Sequence, residues 1–266
     1  MELSGKLAII TGASSGIGRA LTIELARSGC NLILTALEEM ELSALSEELQ
    51  NKFSVKVAVM AADLSDPEAR KNFIHWIKNI EDSPDILLNN AGIGGHFGRF
   101  EYSDWSSIEK TLSLNISSFT HLTYELIPIL KNRPQAKIVN ISSGIARLPY
   151  PGLAVYGATK GYVSSLSESL SCELAGTNIS VLCFHPGFTM TPFIKTAEMD
   201  LRKIPKVFLH SPEKIAAQIV YAIKKDKLWA YSDFFTRFGA WFGAVLPARL
   251  RTFIFKDLFW RLPNAK

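Results

Sequence analysis

The chain has 266 residues, 47% of them hydrophobic, a formal net charge of +4 and three cysteines. That apolar content excludes a disordered chain and is enough for the core of one large α/β domain, and so slight a positive excess does not call for a nucleic-acid partner. Cys30, Cys172 and Cys183 are too widely spaced for a metal site and indicate a reducing, cytoplasmic setting; residues 1–6 lack a signal-peptide layout, and no apolar run reaches the roughly 18 residues of a membrane span.

Residues 6–11 form a short apolar run that reads as a fully buried strand. It ends in Gly12-Ala13-Ser14-Ser15-Gly16-Ile17-Gly18, and residues 19–28 then follow helical period. Strand, glycine-rich turn and helix is the layout in which backbone N–H groups and a helix N-terminus hold a pyrophosphate. Gly12 permits the tight turn, Gly16 lets a phosphate approach, and Gly18 lets the helix lie close to the sheet. The spacing departs from the commoner Gly-x-Gly-x-x-Gly.

Residues 31–35 are the next strand, 38–50 a helix rich in Glu and Leu, and 55–61 a third strand ending at Asp63-Leu64. Asp66-Pro67 starts a helix that runs to about Lys78. Residues 85–92 are a strand entering a loop at Asn89-Asn90-Ala91-Gly92. A long helix starts at Ser103 or Asp104 and passes through Asn115 to Leu126 or Leu130. Residues 137–142 form the fifth strand, 153–175 a helix and 179–185 the sixth strand. The irregular stretch 186–210 is long enough to be a lid or binding loop. A helix over 211–225 and a seventh strand over 228–232 complete the pattern. Strands alternating with helices imply a three-layer, doubly wound parallel sheet, a Rossmann fold, in the order 3-2-1-4-5-6-7. Residues 1–232 are expected to be a dinucleotide-binding and catalytic domain, with 233–266 a C-terminal helical extension of it.

Tyr156 and Lys160 stand four apart, so one helix face carries both. Ser143 lies thirteen residues before Tyr156, at the end of the fifth strand. A free phenol titrates near pH ~10, and a nearby ammonium favours the phenolate and draws that value down. A bare Tyr-x-x-x-Lys also reads as a surface pair on an ordinary helix, and the rest of the chain decides between the two.

Thr11-Gly12-x-x-x-Gly16-x-Gly18, Asp63, Asn89-Asn90-Ala91-Gly92, Asn115, Ser143, Tyr156-x-x-x-Lys160 and Pro186-Gly187 occur in this order. With these motifs the chain resembles the short-chain dehydrogenase/reductase family in its one-domain form. The resemblance implies an NAD(P)-dependent oxidoreductase that interconverts a ketone and a secondary alcohol. Tyr156 would be the general acid in reduction, Lys160 would lower its pKa and hold the nicotinamide ribose, Ser143 would stabilise the developing alkoxide, and Asn115 would anchor a water in the proton relay. Gly12, Ser14, Ser15, Gly16, Ile17, Gly18, Asp63, Leu64, Asn90, Ala91, Gly92, Tyr156, Lys160, Pro186, Gly187, Thr189 and Thr191 would meet the cofactor, with Asp63 accepting from the adenine amino group. No metal is implied. A catalytically silent dinucleotide-binding sensor or scaffold is the rival reading, and the intact set Asn115, Ser143, Tyr156 and Lys160 argues against it.

An acid after the second strand would bond the ribose 2′-OH and repel a 2′-phosphate. Here the stretch is Thr35-Ala36-Leu37, which favours NADP, with Ser15 and Thr35 available to bond a phosphate. NAD is the alternative, because Glu38 and Glu39 lie nearby. The substrate pocket is expected from Ile93, His96, Phe97 and Phe100, from Ile145, Leu148, Tyr150 and Leu153, and from Phe188, Met190, Phe193 and Ile194. That wall suits an apolar or lipid-like partner such as a 3-oxoacyl, ketosphingoid or steroid compound. The helices around 104–130 and 153–175 imply, by resemblance, a two-fold interface and a homodimer or homotetramer.

The tail beyond Asp233 is dense in Phe234, Phe235, Phe238, Trp241, Phe242, Phe253, Phe255, Phe259 and Trp260, interleaved with Arg237, Arg249, Arg251, Lys256 and Arg261. Pro247 divides it into two amphipathic helices. Residues 233–262 are expected to close over the substrate site and to contact lipid, a membrane surface or a lipidic substrate, with a subunit contact as the alternative.

Overall fold

The computed structural model describes residues 1–193 and 208–260, the side chains of 257–260 excepted. Runs rich in branched aliphatic residues form the strands β1 (Leu7–Thr11), β2 (Asn31–Thr35), β3 (Val57–Val59), β4 (Ile86–Asn89), β5 (Ala136–Ile141) and β6 (Ile179–His185), and the aromatic-flanked Trp229-Ala230-Tyr231 forms β7 (Trp229–Tyr231). All pair in parallel in the order β3-β2-β1-β4-β5-β6-β7, the order expected. Both faces are covered. Alternation along each strand sends Ile10, Leu34, Leu88 and Val139 into one core. It sends their neighbours Ile9, Ile33, Leu87 and Ile138 into the other.

The helices are α1 (Gly16–Arg27), α2 (Glu39–Phe53), α3 (Pro67–Lys78), α4 (Trp105–Leu112), α5 (Phe119–Leu130), α6 (Ala154–Glu173), α7 (Pro212–Lys224), α8 (Phe234–Val245) and α9 (Ala248–Trp260). Start signals act as their chemistry dictates. The Asp66 carboxylate accepts from the Ala69 N–H at 2.7 Å ahead of Pro67, and the Ser211 hydroxyl accepts from Lys214 at 3.2 Å ahead of Pro212.

Two expectations need correction. The third strand spans Val57–Val59, shorter than 55–61, although the Ala62 N–H still donates to the Ala36 carbonyl at 2.9 Å beyond it. The helix over 104–130 is not continuous. A π-helical turn, Ser113–Ser118, separates α4 from α5 and carries Asn115. The Ser113 hydroxyl, at its start, reaches away from the helix to the Ser65 carbonyl at 2.5 Å. Such turns recur at functional sites because they re-aim one side chain out of helical register.

Candidate active site

Strand ends β1, β4, β5 and β6 deliver Gly12, Asn90, Ser143 and Gly187 to one cavity of about 460 Å³. Carboxyl ends of a doubly wound sheet are where this architecture opens a crevice. One wall is almost all backbone. Gly12 and Gly16 have φ of 66° and 53°, the left-handed region that glycine tolerates. A Cβ on Gly18 would overlap the Gly12 carbonyl oxygen. No side chain caps α1, so the N–H groups of its first turn stay available beside Ser15, Gly16 and Ile17 on the cavity wall. A glycine-rich cradle at a helix N-terminus fits the pyrophosphate of a dinucleotide.

This cradle is held by the next loop. The Thr11 hydroxyl accepts from the N–H groups of Asn90 and Ala91, each at 3.0 Å. The Asn90 amide donates to the carbonyls of Thr11 at 2.9 Å and Gly12 at 3.2 Å. Asn89 is turned inward and bonds Asn140 on β5 at 2.9 Å.

On the opposite wall stand Ser143, Tyr156 and Lys160. The first turns of α6 carry the Tyr and the Lys, with the Lys160 ammonium 5.7 Å from the Tyr156 ring centre. Burial pushes the Tyr156 phenol up to about 12, and its hydrogen bond with Ser143 pulls the other way. Burial pulls the Lys160 ammonium down to about 8. The expected lowering of the Tyr156 pKa by Lys160 is therefore absent. The ammonium donates instead to the Ile141 carbonyl at 2.9 Å, and desolvation of the phenolate outweighs the hydrogen bond from Ser143. At neutral pH Tyr156 holds its proton, the state an acid needs before it donates.

Asn115 is buried and spends its side chain locally. It accepts from the Ile93 N–H at 2.9 Å and donates to the Ile93 carbonyl at 2.9 Å and to the Thr159 hydroxyl at 3.1 Å. A Cβ on Gly92 would lie 3.1 Å from the Asn115 Oδ1 and 3.4 Å from the Lys160 ammonium, so these groups meet at one spot.

Of the expected cofactor positions, Gly12, Ser15, Gly16, Ile17, Gly18, Asn90, Ala91, Gly92, Pro186, Gly187, Thr189 and Thr191 border the cavity. Three do not. Ser14 gives its hydroxyl to Glu38 at 2.8 Å. Asp63 closes a turn, accepting from the Ser65 N–H at 2.9 Å, and sits 3.5 Å from Lys110. Leu64 is 4% exposed in the core. On the substrate side Ile145, Leu148, Tyr150, Leu153, Phe188 and Phe193 border the cavity, and Phe193 lies 5.1 Å from the Tyr156 ring. Phe97 is a correction: it is 5% exposed and off the cavity, in a segment fastened where Gly98 donates to the Gly152 carbonyl at 3.0 Å. Ile93, His96, Phe100 and Met190 also stand off the wall. Ile194 lies outside the described residues.

The expectations missed a cluster at the root of the tail. Asp233 accepts from the hydroxyls of Ser232 at 2.6 Å and Thr236 at 2.7 Å, from the Thr236 N–H at 2.8 Å, and bonds His210 at 2.9 Å. Burial alone would raise this carboxyl, but these donors hold it well below the usual carboxylate range. Ser232 in turn accepts from the Gly187 N–H at 2.8 Å, so the N-terminal cap of α8 is wired to the loop after β6. Asp233, Phe235, Thr236, Gly239 and Phe255 all border the cavity. An aspartate just ahead of an apolar helical run was the available signal.

A family profile described as short chain dehydrogenase matches residues 6–202. A very-long-chain 3-oxoacyl-CoA reductase-like protein of Arabidopsis thaliana is 35% identical over 236 residues, covering 86% of this chain and 74% of its own. A 3-oxoacyl-[acyl-carrier-protein] reductase of Aquifex aeolicus is 31% identical over 228 residues, covering 83% and 91%. Among solved structures, a short-chain dehydrogenase from Sphingobium yanoikuyae in complex with NADPH superposes with a TM-score of 0.81 at 28% identity, covering 98% of each chain.

Proposed function

The chain belongs to the short-chain dehydrogenase family of NAD(P)-dependent oxidoreductases acting on CH–OH groups, and from that premise we propose that it interconverts apolar, lipid-like ketones with their secondary alcohols, using NADP(H). The observation that carries this reading is the convergence of Ser143, Tyr156 and Lys160 on a cavity that starts at a glycine-rich cradle and ends among apolar residues. When bound, the nicotinamide cofactor supplies or accepts the hydride. Gly12 to Gly18 and the N-terminus of α1 would hold its pyrophosphate, and Pro186, Gly187, Thr189 and Thr191, on the same cavity, would hold its nicotinamide part.

In reduction Tyr156 donates its proton to the substrate oxygen. The Ser143 hydroxyl hydrogen-bonds the same oxygen as negative charge develops there. The Lys160 ammonium offsets the phenolate that remains. Asn115 fastens Ile93 and Thr159 beside Lys160, a positioning role. The apolar wall excludes water and orients the ketone.

NADP is favoured because Ala36 leaves no acid after β2; the relative from Sphingobium yanoikuyae was solved with NADPH, which points the same way. The Glu38 carboxylate held by Ser14 keeps NAD as the alternative. Fluorescence titration tests this: NADPH should bind more tightly than NADH, and Ala36→Asp should reverse the order. Tighter NADH binding by the wild type contradicts it. Residues 1–232 serve as the dinucleotide-binding and catalytic domain, and the three free cysteines support a cytoplasmic setting. Exposed Trp105 and Tyr124 on α4 and α5 support a homo-oligomer built on that side.

Among the described residues no helix is long and apolar enough to cross a membrane. Phe234, Phe238, Trp241 and Phe253 are nevertheless exposed, at 72%, 48%, 58% and 65%, near exposed Arg237, Arg249 and Lys256. Peripheral contact of residues 233–262 with an anionic lipid surface accounts for that mixture. Liposome co-sedimentation should weaken when residues 233–266 are removed, and unchanged binding by a folded truncation contradicts it.

A further inference from the structure

Helix α8 turns three residues to the cavity: Phe235, Thr236 and Gly239. Their spacing puts them on one helical face. Thr236 marks the catalytic end, because a Cβ on Gly144, next to Ser143, would lie 2.7 Å from the Thr236 Cγ2. One turn on, Gly239 still borders the cavity. Among the described residues a Cβ built there meets only the Leu148 Cδ1, at 3.6 Å, which is ordinary contact. A further turn on, Gly243 is buried and off the cavity, and a Cβ there would overlap the Leu148 side chain and the Arg147 carbonyl.

These two glycines differ in kind. Gly243 is required by packing, since the Leu148 side chain and the Arg147 backbone occupy the space above it. Among the described residues nothing requires Gly239 to lack a side chain, and a glycine weakens a helix interior relative to alanine. What Gly239 leaves is open floor in the cavity, and Leu148, seated on Gly243, closes that floor. From Thr236 to Gly239 the helix rises about 4.5 Å, and from Thr236 to Gly243 about 10 Å.

We propose that Gly239 and Leu148 are specificity-determining residues that set how long an aliphatic arm the enzyme accepts beyond the reacting carbonyl. The proposal rests on the ketone reductase reading and adds the gauge to it. The class of substrate is a ketone with an unbranched aliphatic arm laid along α8. A side chain at position 239 shortens the slot, and truncation of Leu148 lengthens it.

The test measures kcat/KM for methyl n-alkyl ketones lengthened one methylene at a time, with saturating NADPH, on the full chain. Gly239→Val should move the length limit to shorter ketones and Leu148→Ala to longer ones. The long-to-short ratio of kcat/KM should change in opposite directions, by about tenfold for each methylene refused or admitted. If Gly239→Val does not fold, Gly239→Ala adds a single methyl group in the space shown. Thermal-shift measurements with the same ketones in the presence of NADPH read the length limit without turnover. Folded variants that keep the wild-type profile in both measurements, or shift together, overturn the gauge. A wild type that binds the ketones with the predicted limit but reduces none of them leaves the gauge standing and contradicts the reductase reading.

Discussion

The two walls of the cavity are built on different principles. The Gly12–Gly18 wall is backbone: positive φ angles, an uncapped helix start and positions where a Cβ collides. The wall formed by the Ser143–Leu153 stretch and α8 is side chain: hydroxyls, a phenol, buried rings and the Asp233 cluster. Backbone recognition of a pyrophosphate leaves little freedom, so glycines must sit at fixed spacing. Side-chain recognition of an apolar arm can be rebuilt in many ways, so it leaves no fixed pattern.

That contrast has consequences for stability. The largest concerns acid and falls off the cavity, in the core at the end of β6. His185, at the end of β6, is fully buried and stacked on Trp229 and Tyr231 at 4.9 Å and 4.7 Å. Burial pulls its imidazole down to about 4, whereas an unfolded chain binds that proton near pH ~6.5. Between those values the unfolded state carries the extra proton. Stability is therefore complete above about 6.5 and falls as pH drops through this window, by on the order of 3 kcal/mol from this group. Urea melts at pH 7 and pH 5 should show the loss, and His185→Leu should flatten that part of the slope. An unchanged slope in the variant would assign the acid sensitivity elsewhere.

A smaller effect separates two helical glycines. Gly18→Ala forces a methyl group into the Gly12 carbonyl and should cost about 1–3 kcal/mol, with loss of dinucleotide binding. Gly239→Ala has room and should stabilise by up to about 1 kcal/mol. Equal melting shifts for the two would erase the distinction between a packed glycine and an open one.

The backbone wall was the legible one. Strand order followed from alternation of strands and helices, and the glycine-rich and Asn-Asn-Ala-Gly turns announced themselves by spacing. The π-helical turn at Asn115 was hidden, because helical period continues on both sides of it. Phe97 was misplaced because a loop phenylalanine reads alike whether it faces a pocket or the core. The direction of the Tyr156 shift was missed because sequence shows the neighbouring Lys160 but neither the depth of burial nor the Ile141 carbonyl to which the Lys160 ammonium donates. Asp233 was legible as a helix start and illegible as the anchor of the Gly187 loop, since His210 and Ser232 reach it only in the fold.

The central claim is that Tyr156, protonated at neutral pH, delivers the proton to a ketone oxygen. The most direct measurement compares NADPH consumption by wild type and Tyr156→Phe across a panel of apolar ketones, with NADPH binding measured on both proteins. The account predicts a fall in kcat of roughly 10²–10⁴-fold with NADPH affinity kept within a few-fold. Wild-type turnover by a folded Tyr156→Phe enzyme would contradict it.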